Sequence, residues 1–242
     1  MIYYNKYGLK IFIFIISCIC IIYNLANIRG NIDDSSINIV GYIHICQKDE
    51  WKKSFDMLME SLKTHGLYKR SNKIRVGVVN GTGNKIEDER FNDPKLEIIH
   101  IGKDDAYERP TLLHMKNSCV TDPNGTLYYY LHTKGIRHFG TKHETSVTEW
   151  MKSMLYWNIE LWKEVVDKLK THETYGCHYN NVHYVGNFWW STAEHVKKLS
   201  DKIPDYYTAP EDWILTNKDN MYCANNCGDD FKLPYDPEIY KS

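Results

Sequence analysis

NIVGYIHIC, residues 38–46, is a short apolar run rich in β-branched side chains, and it stops just before Trp51, Phe55, Leu58 and Leu62 begin to recur at three- and four-residue spacing up to Gly66. The first pattern is that of a buried strand and the second that of an amphipathic helix. Two further strands are expected downstream, 73–79 (KIRVGVV) and 96–101 (LEIIHI), separated by the polar stretch 80–94. Strand, helix, strand, loop, strand predicts a mostly parallel sheet with helices packed across it.

The rest of the chain extends this scheme. Pro110 suits the first position of a short helix running to about Cys119, and Asp122-Pro123-Asn124-Gly125 is a turn signal. The next strand, 126–132 (TLYYYLH), ends in Thr133-Lys134-Gly135. From 149 to 170, Trp150, Met154, Trp157, Leu161, Val165 and Leu169 keep a helical period over some six turns. Strands are expected at 175–180 and 184–190, helices at 192–199 and 210–216, and irregular chain beyond Asp229. With no linker or repeat, residues 31–242 read as one α/β domain with a mostly parallel central sheet.

A formal charge of −1, from 30 Lys plus Arg against 31 Asp plus Glu, argues against a nucleic-acid partner. Aromatic residues make up 14% of the chain, with 19 Tyr and 7 Trp, and these rings can pack in a core or stack on sugars. Residues 11–26 (IFIFIISCICIIYNLA) form the one segment apolar enough to enter a bilayer, although shorter than the roughly 20 residues of a comfortable span. No clean small-x-small cleavage site follows, which favours an uncleaved signal-anchor helix within an N-terminal portion of residues 1–30. Lys6 and Lys10 on its leading flank predict a cytosolic N-terminus, a single-pass type II topology and a domain in the secretory lumen, or in host endomembranes if the chain is viral. The sequons Asn80-Gly81-Thr82 and Asn124-Gly125-Thr126 agree with that side. Of seven cysteines, Cys223 and Cys227 could close a small loop there.

Three clusters fall at expected element ends, where an open α/β sheet builds its ligand crevice. His132-Thr133-Lys134-Gly135 can set a cation and a close backbone against a phosphate, although Lys-Gly after a strand is also an ordinary solvated turn. In Gly186-Asn187-Phe188-Trp189-Trp190, adjacent tryptophans on a strand face opposite ways, so one can fill the core while the other lines a cleft. Asn187 supplies the donor and acceptor that a sugar hydroxyl needs. Pro210-Glu211-Asp212-Trp213 places acids at a helix start, where the dipole favours them structurally and where a general base for an acceptor hydroxyl can sit. His132, His138, His143, His178 and His183 match no metal-ligand spacing.

With these residues assembled, the chain resembles a family of glycosyltransferase-like proteins of large viruses, bacteria and some eukaryotes that carry Y-x-H-x-K-G and G-N-F-W-W motifs. The matching stretches are Tyr107-Glu108-Arg109-Pro110-Thr111-Leu112, Tyr130-Leu131-His132-Thr133-Lys134-Gly135, Gly186-Asn187-Phe188-Trp189-Trp190 and Glu211-Asp212-Trp213, covering about residues 39–215. The resemblance implies a GT-A-like, Rossmann-type fold, a nucleotide-sugar donor and a glycan or glycoprotein acceptor. GT-A enzymes usually hold a divalent metal, Mn or Mg, through Asp-x-Asp, and no Asp-x-Asp occurs in this chain. Either His132 and Lys134 take over neutralisation of the diphosphate, or a divalent metal is held by carboxylates that the sequence does not place; the first is favoured, with no metal site expected, and on it His132, Lys134 and Gly135 bind the donor phosphates, Asn187 with Trp189 or Trp190 binds sugar or acceptor, and Asp212 or Glu211 is the base. The rival reading is an inactive, lectin-like carbohydrate-binding protein on the same fold.

Overall fold

A computed structural model describes residues 36–84, 87–225 and 240. The expected anchor at 11–26, the 1–30 portion, Cys227 and the tail beyond 229 apart from Tyr240 lie outside the described residues. No helix among the described residues is long and apolar enough to cross a membrane.

The chain runs β1 (Ile39–Cys46), α1 (Trp51–Thr64), α2 (Leu67–Arg70), β2 (Lys73–Asn80), β3 (Leu96–Lys103), α3 (Arg109–Ser118), β4 (Leu127–His132), α4 (Glu144–Leu155), α5 (Trp162–Lys168), β5 (Thr174–Gly176), β6 (Trp189–Thr192), α6 (Ala193–Lys198), α7 (Ala209–Trp213) and β7 (Met221–Cys223). Seven strands among the described residues form one sheet in the order β3-β2-β1-β4-β6-β5-β7. β1 pairs in parallel with both β2 and β4, β2 with β3, and β5 with β7, while β6 is antiparallel to β4 and β5. The α/β class and the mostly parallel sheet follow the sequence pattern. The chain winds outward from β1 to β3, and then α3 returns it to the other side of β1 as β4. β1 and β4 therefore diverge in connection at their carboxyl ends, the arrangement that opens a crevice in doubly wound sheets.

Both faces of the central strands are covered. Residues Ile39 to Ile45 of β1, and all of β4, are buried. Tyr128, Tyr129 and Tyr130 are fully buried in succession, and each hydroxyl has a partner: Tyr128 donates to Asp122 Oδ2 (2.8 Å), Tyr129 pairs with Ser71 Oγ (3.0 Å), and Tyr130 donates to Glu108 Oε2 (2.8 Å). Gly41 makes room for one of them, since a Cβ there would lie 2.2 Å from the Tyr129 ring.

Two elements differ from expectation. The long helix begins at Glu144 and is broken by a π turn at Tyr156–Glu160. Side chains intervene in its ladder: Asn158 Nδ2 donates to Met154 O (2.9 Å), and Trp190 Nε1 donates to Asn158 O (2.8 Å). The expected strand pair 175–180 and 184–190 contracts to Thr174–Gly176 and Trp189–Thr192, joined by a lone bridge between Tyr179 and Tyr184. Positive φ at His178, Asn181, Gly186 and Asn187 coils the intervening chain.

The sequons also separate. Asn80 is buried, with Nδ2 donating to Gln47 Oε1 and Asn84 O, whereas Asn124 is exposed on its turn.

At the amino end of the sheet, Arg75 makes a two-pronged contact with Asp122 (2.8 and 3.0 Å) while also donating to the Tyr42 hydroxyl (2.8 Å). Its side chain is 9% exposed and that of Asp122 11%. Removing one partner strands the other charge in the interior. We expect Asp122→Ala to cost about 3–5 kcal/mol of unfolding free energy, measured by denaturant titration; a loss under ~1 kcal/mol would show that water reaches Arg75.

Candidate functional site

A cleft of about 540 Å³ lies over the carboxyl ends of β1, β2 and β4, within the size range of small-molecule sites. Strand ends supply His44 and Cys46 from β1, Val79 from β2 and His132 from β4. The chain after β4 adds Thr133, Lys134, Gly135, Ile136, Arg137 and His138. Asp104, Asp105, Tyr107 and Glu108, between β3 and α3, form another wall, and Tyr207 and Glu211 approach from the segment around α7.

Local sequence explains the loop after β4. Gly135 has φ 74°, and a Cβ there would lie 2.5 Å from Val147, so both conformation and space call for glycine. Ser54 of α1 fastens the neighbouring residue, accepting from the Lys134 N–H and donating to the Lys134 carbonyl, each at 3.0 Å. The Lys134 ammonium lies 5.0 Å from the centre of the Trp150 ring. Lys48 extends the positive charge at the end of β1 but is ion-paired with Asp104.

His132 is buried, and its Nε2 is 2.9 Å from the Gly186 carbonyl. A carbonyl only accepts, so Nε2 carries the ring proton and Nδ1 presents a lone pair. Burial, with Lys134 nearby, pushes its pKa from 6.5 down to about 4. With that value the His132 ring is uncharged at neutral pH. Its Nδ1 stands 3.7 Å from Glu108 Oε1.

Glu108, within the Tyr107–Leu112 stretch and with no role expected from the sequence, is central to the cleft's hydrogen bonding. Its Oε2 accepts from the Tyr130 hydroxyl (2.8 Å) and from Asn187 Nδ2. Asn187, held at φ 57°, in turn accepts from Trp189 Nε1 at its Oδ1 (2.7 Å). A weaker signal was present: Glu211 directly follows the helix-start Pro210, and Glu108 stands two residues before the helix-start Pro110. Arg137 and Lys48 follow strand ends too, but nothing in sequence spacing aims them into one cleft.

The other expected residues divide. Lys134, Gly135 and Glu211 line the cleft together with His132. Asp212 does not: it accepts at Oδ1 from His183 Nδ1 (2.8 Å) and at Oδ2 from the Tyr206 hydroxyl (2.9 Å). Glu211 also lies within 3.3 Å of His183, through Nε2. Trp189 and Trp190 do face opposite sides of the sheet, but both are completely buried, against Tyr130 and Tyr129 respectively. Because the sheet is covered on both faces, neither ring lines a cleft, and Asn187 is likewise buried beneath the cleft rather than on its surface.

Neither a protein-family model, nor a curated protein, nor a solved structure matches this chain.

Burial also holds His44 and His178 down to about 4. For a histidine whose folded pKa lies below its unfolded 6.5, the unfolded chain binds the proton more readily, so stability is complete above pH 6.5 and declines as pH falls toward 4. We expect the melting temperature to drop steadily from pH 6.5 to 4, with His132→Gln shallowing the slope in calorimetric scans. A flat profile over that window would contradict neutral burial.

Proposed function

We propose that the domain is a GT-A-like glycosyltransferase that takes a sugar from a nucleotide donor without a metal step. The observation that carries this reading is a single crevice, at the switch point of the sheet, in which Lys134 and Arg137 stand with the carboxylates Glu108 and Glu211. Cations suited to a diphosphate and carboxylates suited to a hydroxyl are the two requirements of transfer from a nucleotide sugar.

In this scheme Lys134 and Arg137 bind the donor diphosphate and stabilise the charge that grows on it as the bond to the anomeric carbon breaks. The acceptor oxygen forms the new bond and passes its proton to Glu211. Both members of the acidic pair approach His183, but only Glu211 lines the cleft, which fits it to this role. Direct attack of this kind inverts the anomeric configuration.

A panel of nucleotide sugars, with released nucleoside diphosphate as the readout, tests the assignment. Turnover should persist in excess EDTA, fall about 10²-fold or more in Lys134→Ala, and fall steeply in Glu211→Gln, while Asp212→Asn chiefly lowers thermal stability. Abolition by EDTA with rescue by manganese would replace the metal-free scheme, and saccharide binding without any nucleotide release would identify the lectin-like alternative.

With residues 11–26 as an uncleaved anchor, the domain faces the secretory lumen. There, Asn124 rather than the buried Asn80 should carry glycan, so Asn124→Gln should abolish the mobility shift on deglycosylation of protein expressed in eukaryotic cells. Persistence of that shift would place the glycan elsewhere.

A further inference from the structure

We propose that the floor and rim of the cleft form a subsite for a pyranose ring, in which Glu108 Oε1 and His132 Nδ1 accept hydrogen bonds from sugar hydroxyls while Tyr107 and Tyr207 take the sugar's apolar face. The inference deepens the transferase reading, on which it relies only for which substrate brings the sugar.

The floor is a pair of acceptors. His132 commits its proton to the Gly186 carbonyl through Nε2, so its Nδ1 can only accept, as can a carboxylate oxygen. The 3.7 Å between Nδ1 and Oε1 is too long for a direct hydrogen bond, so neither atom satisfies the other. A hydroxyl placed at the pair supplies what both lack. The other Glu108 oxygen is already satisfied by Tyr130 and Asn187, and Asn187 is fixed by Trp189. The core thus aims Oε1 without consuming it. An anion is disfavoured here because the floor is itself a carboxylate with a lone pair beside it.

The rim is aromatic and exposed. Tyr107 is 43% and Tyr207 69% exposed, and their rings meet edge to face at 5.7 Å. Tyr107 holds φ 48°, an unusual conformation for a residue with a side chain, at the step that brings both Tyr107 and Glu108 to the cleft. Arg109 lies over one face of the Tyr107 ring, 5.6 Å from its centre, and ties it to the 204–206 segment, donating from Nε and Nη2 to the Pro204 carbonyl (3.0 and 2.8 Å) and from Nη2 to the Tyr206 carbonyl (2.9 Å). Ring faces above and hydroxyl acceptors below suit an amphipathic ring bearing several hydroxyls.

The test titrates purified full-length protein with methyl hexopyranosides, nucleoside diphosphates and the corresponding nucleotide sugars, followed by calorimetry and saturation-transfer NMR. In Glu108→Gln the new amide can donate to His132 Nδ1 and fill the gap, so sugar affinity should fall about tenfold or more, with nucleoside diphosphate affinity unchanged. Tyr207→Ala, on an exposed side chain that folding does not need, should weaken the same ligands about threefold to tenfold, and Tyr207→Phe should restore them. Loss confined to methyl glycosides assigns the subsite to the acceptor, and loss of only the sugar's contribution to nucleotide-sugar binding assigns it to the donor; either supports the proposal. Wild-type protein that binds no sugar, variants that bind sugars as wild type does, or a divalent ion that competes at this floor would overturn it. Glu108-dependent sugar binding without transfer from any donor would leave the subsite standing and remove the transferase reading.

Discussion

Three consecutive tyrosines in the central strand β4 impose the constraint around which this domain is organised. A phenol can be buried on either face of a sheet, but its hydroxyl must find a partner there or lose its hydration without compensation. Tyr128, Tyr129 and Tyr130 find theirs in Asp122, Ser71 and Glu108, three residues from three different connections. Each bond ties a loop or helix end to the middle strand. Desolvation, reinforced by Glu108, raises the Tyr130 pKa well above 10, so this residue remains a donor at any physiological pH.

Those partners extend toward opposite ends of the sheet with different consequences. Asp122 leads to Arg75 and Tyr42, a closed network at the amino ends of β1 and β2 in which both charges are paired and shielded. Glu108 leads to Asn187 and Trp189 but keeps one oxygen facing the cleft. One end of the sheet therefore pairs its charges internally, and the other keeps hydrogen-bonding capacity open. This division accords with the tendency of open α/β sheets to place ligands at strand carboxyl ends.

The same packing explains why the conspicuous tryptophans lie away from the cleft. Trp189 and Trp190 pair in register with Tyr130 and Tyr129, Trp189 stacking on Tyr130 and Trp190 packing at a tilt against Tyr129, so both rings contribute to the core on either side of the sheet. Their influence on the site is indirect, through the Trp189 bond to Asn187 and the Asn187 bond to Glu108. Aromatic surface open to the cleft comes instead from Tyr107 and Tyr207, whose exposure no alternation pattern encodes.

Sequence alone determined what depends on neighbouring residues. The β-branched runs at β1, β2 and β3, the amphipathic spacing of α1 and the turn before β4 each report a local preference for strand, helix or turn, and together they specify an α/β domain with a mostly parallel sheet. Strand ends at Lys134 and Gly135 and a helix start at Glu211 were legible for the same reason. Strand order, the π turn at Tyr156–Glu160 and which of Glu211 and Asp212 lines the cleft were decided only in the tertiary structure. They depend on partners distant in sequence: β1 beside β4, Trp190 reaching Asn158, and His183 engaging Asp212. The neutral state of His132 and the aim of Glu108 likewise come from burial and from bonds to Gly186, Tyr130 and Asn187, because solvent exclusion and hydrogen-bond direction arise only when separate segments close around a group.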